Sequence, residues 1–105
     1  MDTSPALTEA VYYILLSLVT PQHGYGIMQN AEALSQGRVR LGAGTLYGAL
    51  SNLCEREWIV PLPVDDGSRR KLYQITPLGQ KVLKQELNRL RQLVANGESV
   101  LKEDV

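Results

Sequence analysis

The chain has 105 residues and a formal net charge of zero, with 44% apolar and 21% charged residues. This is one small domain with a modest core; the apolar content excludes a disordered polymer, and the neutral balance means that any affinity for nucleic acid must be local. A single cysteine, Cys54, excludes an internal disulfide, and no apolar run reaches the roughly 20 residues needed to span a bilayer as a helix. The opening MDTSPALTEA has no basic leader segment, so a soluble cytoplasmic protein is expected.

Residues 8–19, TEAVYYILLSLV, read as a helix with Thr8 as N-cap and Glu9 favoured by the helix dipole. Val11, Ile14, Leu15 and Leu18 form one helical stripe. Tyr12 and Leu16 are apolar outside it, so a second covered surface is expected. TPQHG is a break. A second helix is expected over 25–34, with Ile27, Met28, Ala31 and Leu34 inward and Gly37 as its stop. RVRL, at 38–41, alternates and allows a brief strand at best. A third helix is expected over 43–57, its core face carrying Leu46, Leu50 and Leu53.

IVPLPV and RKLYQI flank DDGS, and Asp66-Gly67 is a strong hairpin turn. Pro61 and Pro63 share a parity, so both missing N–H groups lie on one side of the first strand. That side must be unpaired, which places the strand at the sheet edge and turns residues 60, 62 and 64 toward the second strand. Thr76-Pro77 is an N-cap followed by proline at the first helical position. The fourth helix is expected to run to about residue 96, where Gly97 interrupts it and leaves a frayed tail. Its Leu83, Leu87, Leu90 and Val94 repeat in the 4, 3, 4 pattern of a heptad seam, which seeks another helix.

The fold class expected is therefore mainly α with a small β-hairpin: a winged helix-turn-helix over 1–76, and a C-terminal dimerisation helix and tail over 77–105. In that architecture the third helix is the recognition helix and the hairpin is the wing. With the leucines inward, the opposite face carries Gly44, Thr45, Tyr47, Gly48, Ser51 and Asn52. Hydroxyls there suit phosphate oxygens, Asn52 suits adenine, and the helix N-terminus favours an anion. Two readings of the glycines stand at this point: they bare the helix for DNA, or Gly44 eases helix entry and Gly48 permits packing on the first helix.

Arg69, Arg70 and Lys71 follow the hairpin turn, where three cations suit a phosphate or minor-groove contact. Arg38 and Arg40 add charge before the third helix. Gln22, His23 and Tyr25 stand where the second helix begins; His23 either caps the loop or, with its neighbours, reaches a phosphate. One His and one Cys without clustered carboxylates make no metal site and no catalytic triad, so neither an enzyme nor a cofactor is expected. Cys54 is expected to be buried, with redox sensing as the alternative. Tyr73 is expected to pack its ring on the domain.

LTEAVYYILLSL, HGYGIMQ, GTLYGAL with a following leucine, and RRKLYQIT with a following glycine resemble, in order and spacing, the PadR-like family of bacterial transcriptional regulators over roughly 7–79. The resemblance implies a homodimeric winged-helix protein that binds a double-stranded DNA operator, usually as a repressor, often released by a small aromatic or drug-like effector. It also implies a dimer interface between the fourth and first helices, here Tyr12, Leu16, Leu83, Leu87, Leu90 and Val94. Two positions depart from the pattern. Gly48 stands where many relatives have proline. Trp58 stands where many have glycine, so it closes the third helix without a left-handed glycine and packs at the wing root or lines an effector pocket. The alternative function is a winged-helix module for protein assembly without DNA; the wing cations beside a small, polar helix face argue against it.

Overall fold

The computed structural model describes residues 6–63 and 71–102. The elements in chain order are α1 (Glu9–Ser17), β1 (Gln22–His23), α2 (Gly24–Leu34), α3 (Ala43–Glu55), β2 (Ile59–Leu62), β3 (Leu72–Ile75) and α4 (Pro77–Leu101). Three helices and a small antiparallel sheet of order β1-β3-β2 share one core, and α4 runs outward from it.

Local chemistry sets the helix starts. The Thr8 hydroxyl accepts from the Val11 N–H at 3.1 Å and the Thr76 hydroxyl from the Gly79 N–H at 3.0 Å. Each satisfies one donor that a helix start would otherwise orphan. The stops differ from those the sequence suggested. α2 ends ahead of Gly37: Gln36, at φ 54°, is the first left-handed residue, and the Gly37 N–H reaches back to the Glu32 carbonyl at 2.8 Å. α3 ends likewise. Glu57 takes φ 62°, its N–H donates to the Cys54 carbonyl at 3.0 Å, and the Trp58 N–H donates to that of Leu53 at 3.1 Å. This is a Schellman closure whose left-handed position, normally a glycine's, is filled by Glu57 rather than by Trp58. Gly97 does not interrupt α4, which continues to Leu101 and closes on left-handed Lys102.

The core gathers Ile14, Leu15 and Leu18 of α1, Ile27 of α2, and Leu46, Leu50 and Leu53 of α3, with Ile59, Tyr73, Ile75 and Leu83. Each fully buried aliphatic side chain contributes about 1.5–3 kcal/mol of transfer free energy. Leu34 is an exception to the expected stripe, at 54% exposed: the buried face of α2 runs through Ile27, Ala31 and Ser35, and Leu34 lies beside it. Tyr73 packs its ring in the core, as its parity with Ile75 requires.

RVRL forms no strand; the third strand is Gln22–His23, paired with Tyr73 and Leu72. Two residues are too few to show an alternation. β2 is an edge strand, with Pro61 opposite Tyr73 and Leu62 opposite Leu72. The Ile75 N–H donates to Leu18 on one side of β3, and the next N–H, of Thr76, donates to Trp58 on the other. The prolines of β2 therefore have the parity that an edge strand tolerates. Residue 64 and the turn Asp66-Gly67 lie outside the described residues.

At its start α4 is part of the core: Gly79, Val82 and Leu83 are buried. Glu86, 2% exposed, accepts the Leu7 N–H at 3.1 Å and thereby ties the entry of α1 to α4. From Arg91 onward every described residue is exposed. The helix is about 37 Å long at 1.5 Å per residue, and its last two fifths, from Arg91 to Leu101, extend beyond the domain.

Candidate nucleic-acid interface

The exposed face of α3 carries Gly44, Thr45, Tyr47, Gly48, Ser51 and Asn52, opposite the buried leucines. A β-carbon placed on Gly44 or on Gly48 would meet none of the described residues within 4 Å. Packing on α1 therefore does not account for Gly48, and the two glycines leave one stripe of the helix bare. Gly42, the N-cap, is equally open and makes no side-chain cap, so the helix N-terminus is unobstructed.

Tyr47 is half-exposed, but its hydroxyl end lies over Gly24, where a β-carbon would collide with it. Gly24 leaves room for this approach, in which the ring of α3 bridges to the start of α2. The His23 ring accepts from the Gly26 N–H at 3.3 Å and so caps α2, and the Gln22 side chain lies against Gly26. Both are half-buried. Tyr25, 62% exposed, stands free beside them.

These groups line an open concavity of about 840 Å³ bounded by His23, Gly24, Tyr25, Gln29, Tyr47, Lys71 and Tyr73. A second concavity continues past Tyr25 and Gln29 to Arg40. The start of α2, the face of α3 and the root of the wing thus adjoin, with Arg40 and Lys71 at the two ends. Gln29 was not among the residues singled out from the sequence. Its signal is the four-residue spacing from Tyr25, which puts both on one face of α2.

The cations divide. Lys71 is exposed, and Arg40 is exposed with Glu32 3.9 Å away. Arg38 instead pairs with Glu9 of α1 at 2.9 Å, which removes it from the group expected beside the recognition helix. Arg69 and Arg70 lie outside the described residues. Burial pushes the Cys54 thiol up from its ordinary pKa, and Lys71 pulls it only part of the way back. The thiolate is disfavoured, which weakens the redox reading of this half-buried cysteine. Burial likewise raises the Tyr73 phenol, helped by Cys54 and Tyr47. Trp58 is half-buried at the wing root, with the Arg56 guanidinium 5.1 Å from its ring centroid.

On the other side of the molecule, Leu87, Leu90 and Val94 line a shallow groove along α4 with Arg91, Ala95 and Glu98. Leu83, expected to share that seam, is 9% exposed and belongs to the chain's own core. Tyr12 and Leu16 are half-buried against the same core.

A three-helix core, a wing and a bared third helix define a winged-helix DNA-binding protein of the transcription-regulator class. Residues 13–85 match the model of the transcriptional regulator PadR-like family. The chain belongs to that family. Over 73 residues it is 36% identical to a 37.1 kDa protein in transposon Tn4556 of Streptomyces fradiae, a match that covers 70% of this chain and 20% of the relative. The chain thus spans about a fifth of that relative's length. Among solved structures, a PadR family transcription regulator from hypervirulent Clostridium difficile superposes with a TM-score of 0.70 at 21% identity, covering 87% of this chain and 97% of that one. The PcaV transcriptional regulator of Streptomyces coelicolor, solved in complex with its natural ligand, superposes with a TM-score of 0.72 at 18% identity, covering 89% and 62%. Among the described residues no helix is long and apolar enough to cross a membrane.

Proposed function

We propose that the chain is a homodimeric, sequence-specific repressor that lays α3 in the major groove of its operator and its wing on the flanking backbone. The observation that carries this reading is the open space above Gly44 and Gly48 on an exposed, polar helix face. Gly48 in the helix interior costs about 1 kcal/mol relative to alanine, Gly44 lies in the first turn, and no neighbour among the described residues needs the room they leave. A groove wall does. Thr45 and Ser51 would donate to phosphates, Tyr25 and Gln29 would meet the backbone beside the start of α2, and Arg40 and Lys71, with Arg69 and Arg70, would neutralise phosphates. The Tyr47 ring sets α3 against α2, and its hydroxyl faces the same concavity.

Dimerisation through α4 is supported by the uncovered Leu87, Leu93 and Val94, with half-buried Leu90 among them, on a helix that leaves the domain. Release by a small aromatic or drug-like effector fits the family and the ligand-bound state of the PcaV neighbour.

The test is fluorescence anisotropy with operator DNA obtained from a randomised duplex pool. Changing Arg69, Arg70 and Lys71 together to alanine should weaken binding to every sequence. It should also flatten the salt dependence by about 0.9 log unit for each phosphate that is no longer neutralised. Unchanged affinity and slope, with circular dichroism showing a folded variant, would remove the wing from the interface.

A further inference from the structure

The C-terminal half of α3 holds an arrangement that changes which base Asn52 reads. Positions 44, 48, 52 and 56 recur every four residues along the exposed side of the helix, as Gly, Gly, Asn and Arg. The first two are bare. At the third and fourth, the Arg56 Nε donates to the Asn52 Oδ1 at 2.9 Å. Arg56 is held a second time, over the ring of Trp58, which is itself packed against the core. A guanidinium has five N–H donors and no acceptor, so the amide oxygen and not the amide nitrogen must face it.

Bidentate recognition of adenine needs both ends of an asparagine: the oxygen accepts from N6 and the nitrogen donates to N7. Here one of the oxygen's two lone pairs is already taken by a charged donor. What the pair presents outward is weighted toward donors, the Asn52 amide N–H groups and the remaining guanidinium N–H groups against a single lone pair. Among the bases only guanine offers two acceptors, N7 and O6, on its major-groove edge. We infer that Asn52 and Arg56 act as a joint donor pair selecting guanine, with Trp58 as the positioning residue that keeps Arg56 beside Asn52. The inference rests on the reading that α3 enters the major groove, and it replaces adenine, the base suggested by an isolated asparagine.

Selection of binding sites from a randomised duplex pool tests it, using the full chain, Asn52→Ala and Arg56→Leu, each checked for folding by circular dichroism. The wild-type chain should favour guanine by about tenfold or more at one position per half-site. Asn52→Ala should lose that preference while the other positions keep theirs. Arg56→Leu frees the amide oxygen and should move the same position toward adenine. A wild-type preference for adenine there, no position sensitive to Asn52→Ala, or guanine retained by Arg56→Leu would each overturn the inference and leave the groove reading intact. A wild-type chain that selects no sequence would overturn both.

Discussion

Gly79 rests against the backbone of Trp58: a β-carbon there would run into the Trp58 carbonyl and come within 2.7 Å of the Ile75 Cγ1. The same carbonyl accepts the Thr76 N–H at 2.9 Å, so it is pinned and has no freedom to withdraw. The contact seats the start of α4 on the root of the wing. Gly79→Ala should therefore destabilise the protein by about 1–3 kcal/mol, although alanine is the better helix former. Thermal unfolding measures this, and an unchanged or higher Tm would show that the contact relaxes freely.

Glu57 offers the opposite case. At φ 62° its side chain pays the left-handed penalty that glycine avoids. Its carbonyl accepts from the Thr76 hydroxyl at 2.7 Å, a bond that any residue at 57 retains. Glu57→Gly should stabilise the fold by roughly 0.5–1 kcal/mol and raise Tm. A fall in Tm would mean that the carboxylate makes a compensating interaction.

Glu86 should give the fold an acid sensitivity. Arg89 donates to both carboxylate oxygens at 2.7 Å and holds the carboxyl below its ordinary value of 4.5, against the upward push of burial and with help from the Leu7 N–H. A folded-state pKa below the unfolded one stabilises the fold above about pH 4.5, and that contribution is lost as the pH falls through the folded value. The Tm of the wild-type chain should then drop more steeply than that of Glu86→Gln between about pH 5 and about pH 3. Parallel curves would assign the acid response to other carboxylates.

Leu87 and Leu90 line the groove on α4 where the chain's cover of its own helix runs out. Placing Glu at both should yield a folded monomer by light scattering, since a paired seam would then bury like charges. A dimer of unchanged mass would put the interface elsewhere.

The parts of this fold legible in the sequence are those with a repeating signal or a dedicated residue. Leu46, Leu50 and Leu53 repeat at helical spacing, Thr76-Pro77 marks a helix start, and Pro61 and Pro63 mark an edge strand. What could not be read lacks such a signal. Gln22–His23 is too short to alternate, and its pairing depends on a strand distant in sequence. The left-handed closures at Gln36 and Glu57 are imposed by tertiary packing on residues that do not ordinarily take that conformation. Leu83 matches the heptad as well as Leu87 does; only the position of the α4 start on the core separates them. On the candidate face, the exposed glycines of α3 and exposed Lys71 were legible. The Arg56 hold on Asn52 required coordinates, although their four-residue spacing permits it.

Gly48→Leu tests most directly whether α3 is bared for a DNA groove. Among the described residues nothing lies within 4 Å of a β-carbon at the position, and leucine improves helix propensity by up to about 1 kcal/mol, so Tm should hold or rise. Affinity for the selected operator, measured by anisotropy on the folded variant, should nonetheless fall strongly, because the side chain would stand between helix and groove. A stable Gly48→Leu that binds the operator at full strength would contradict the account.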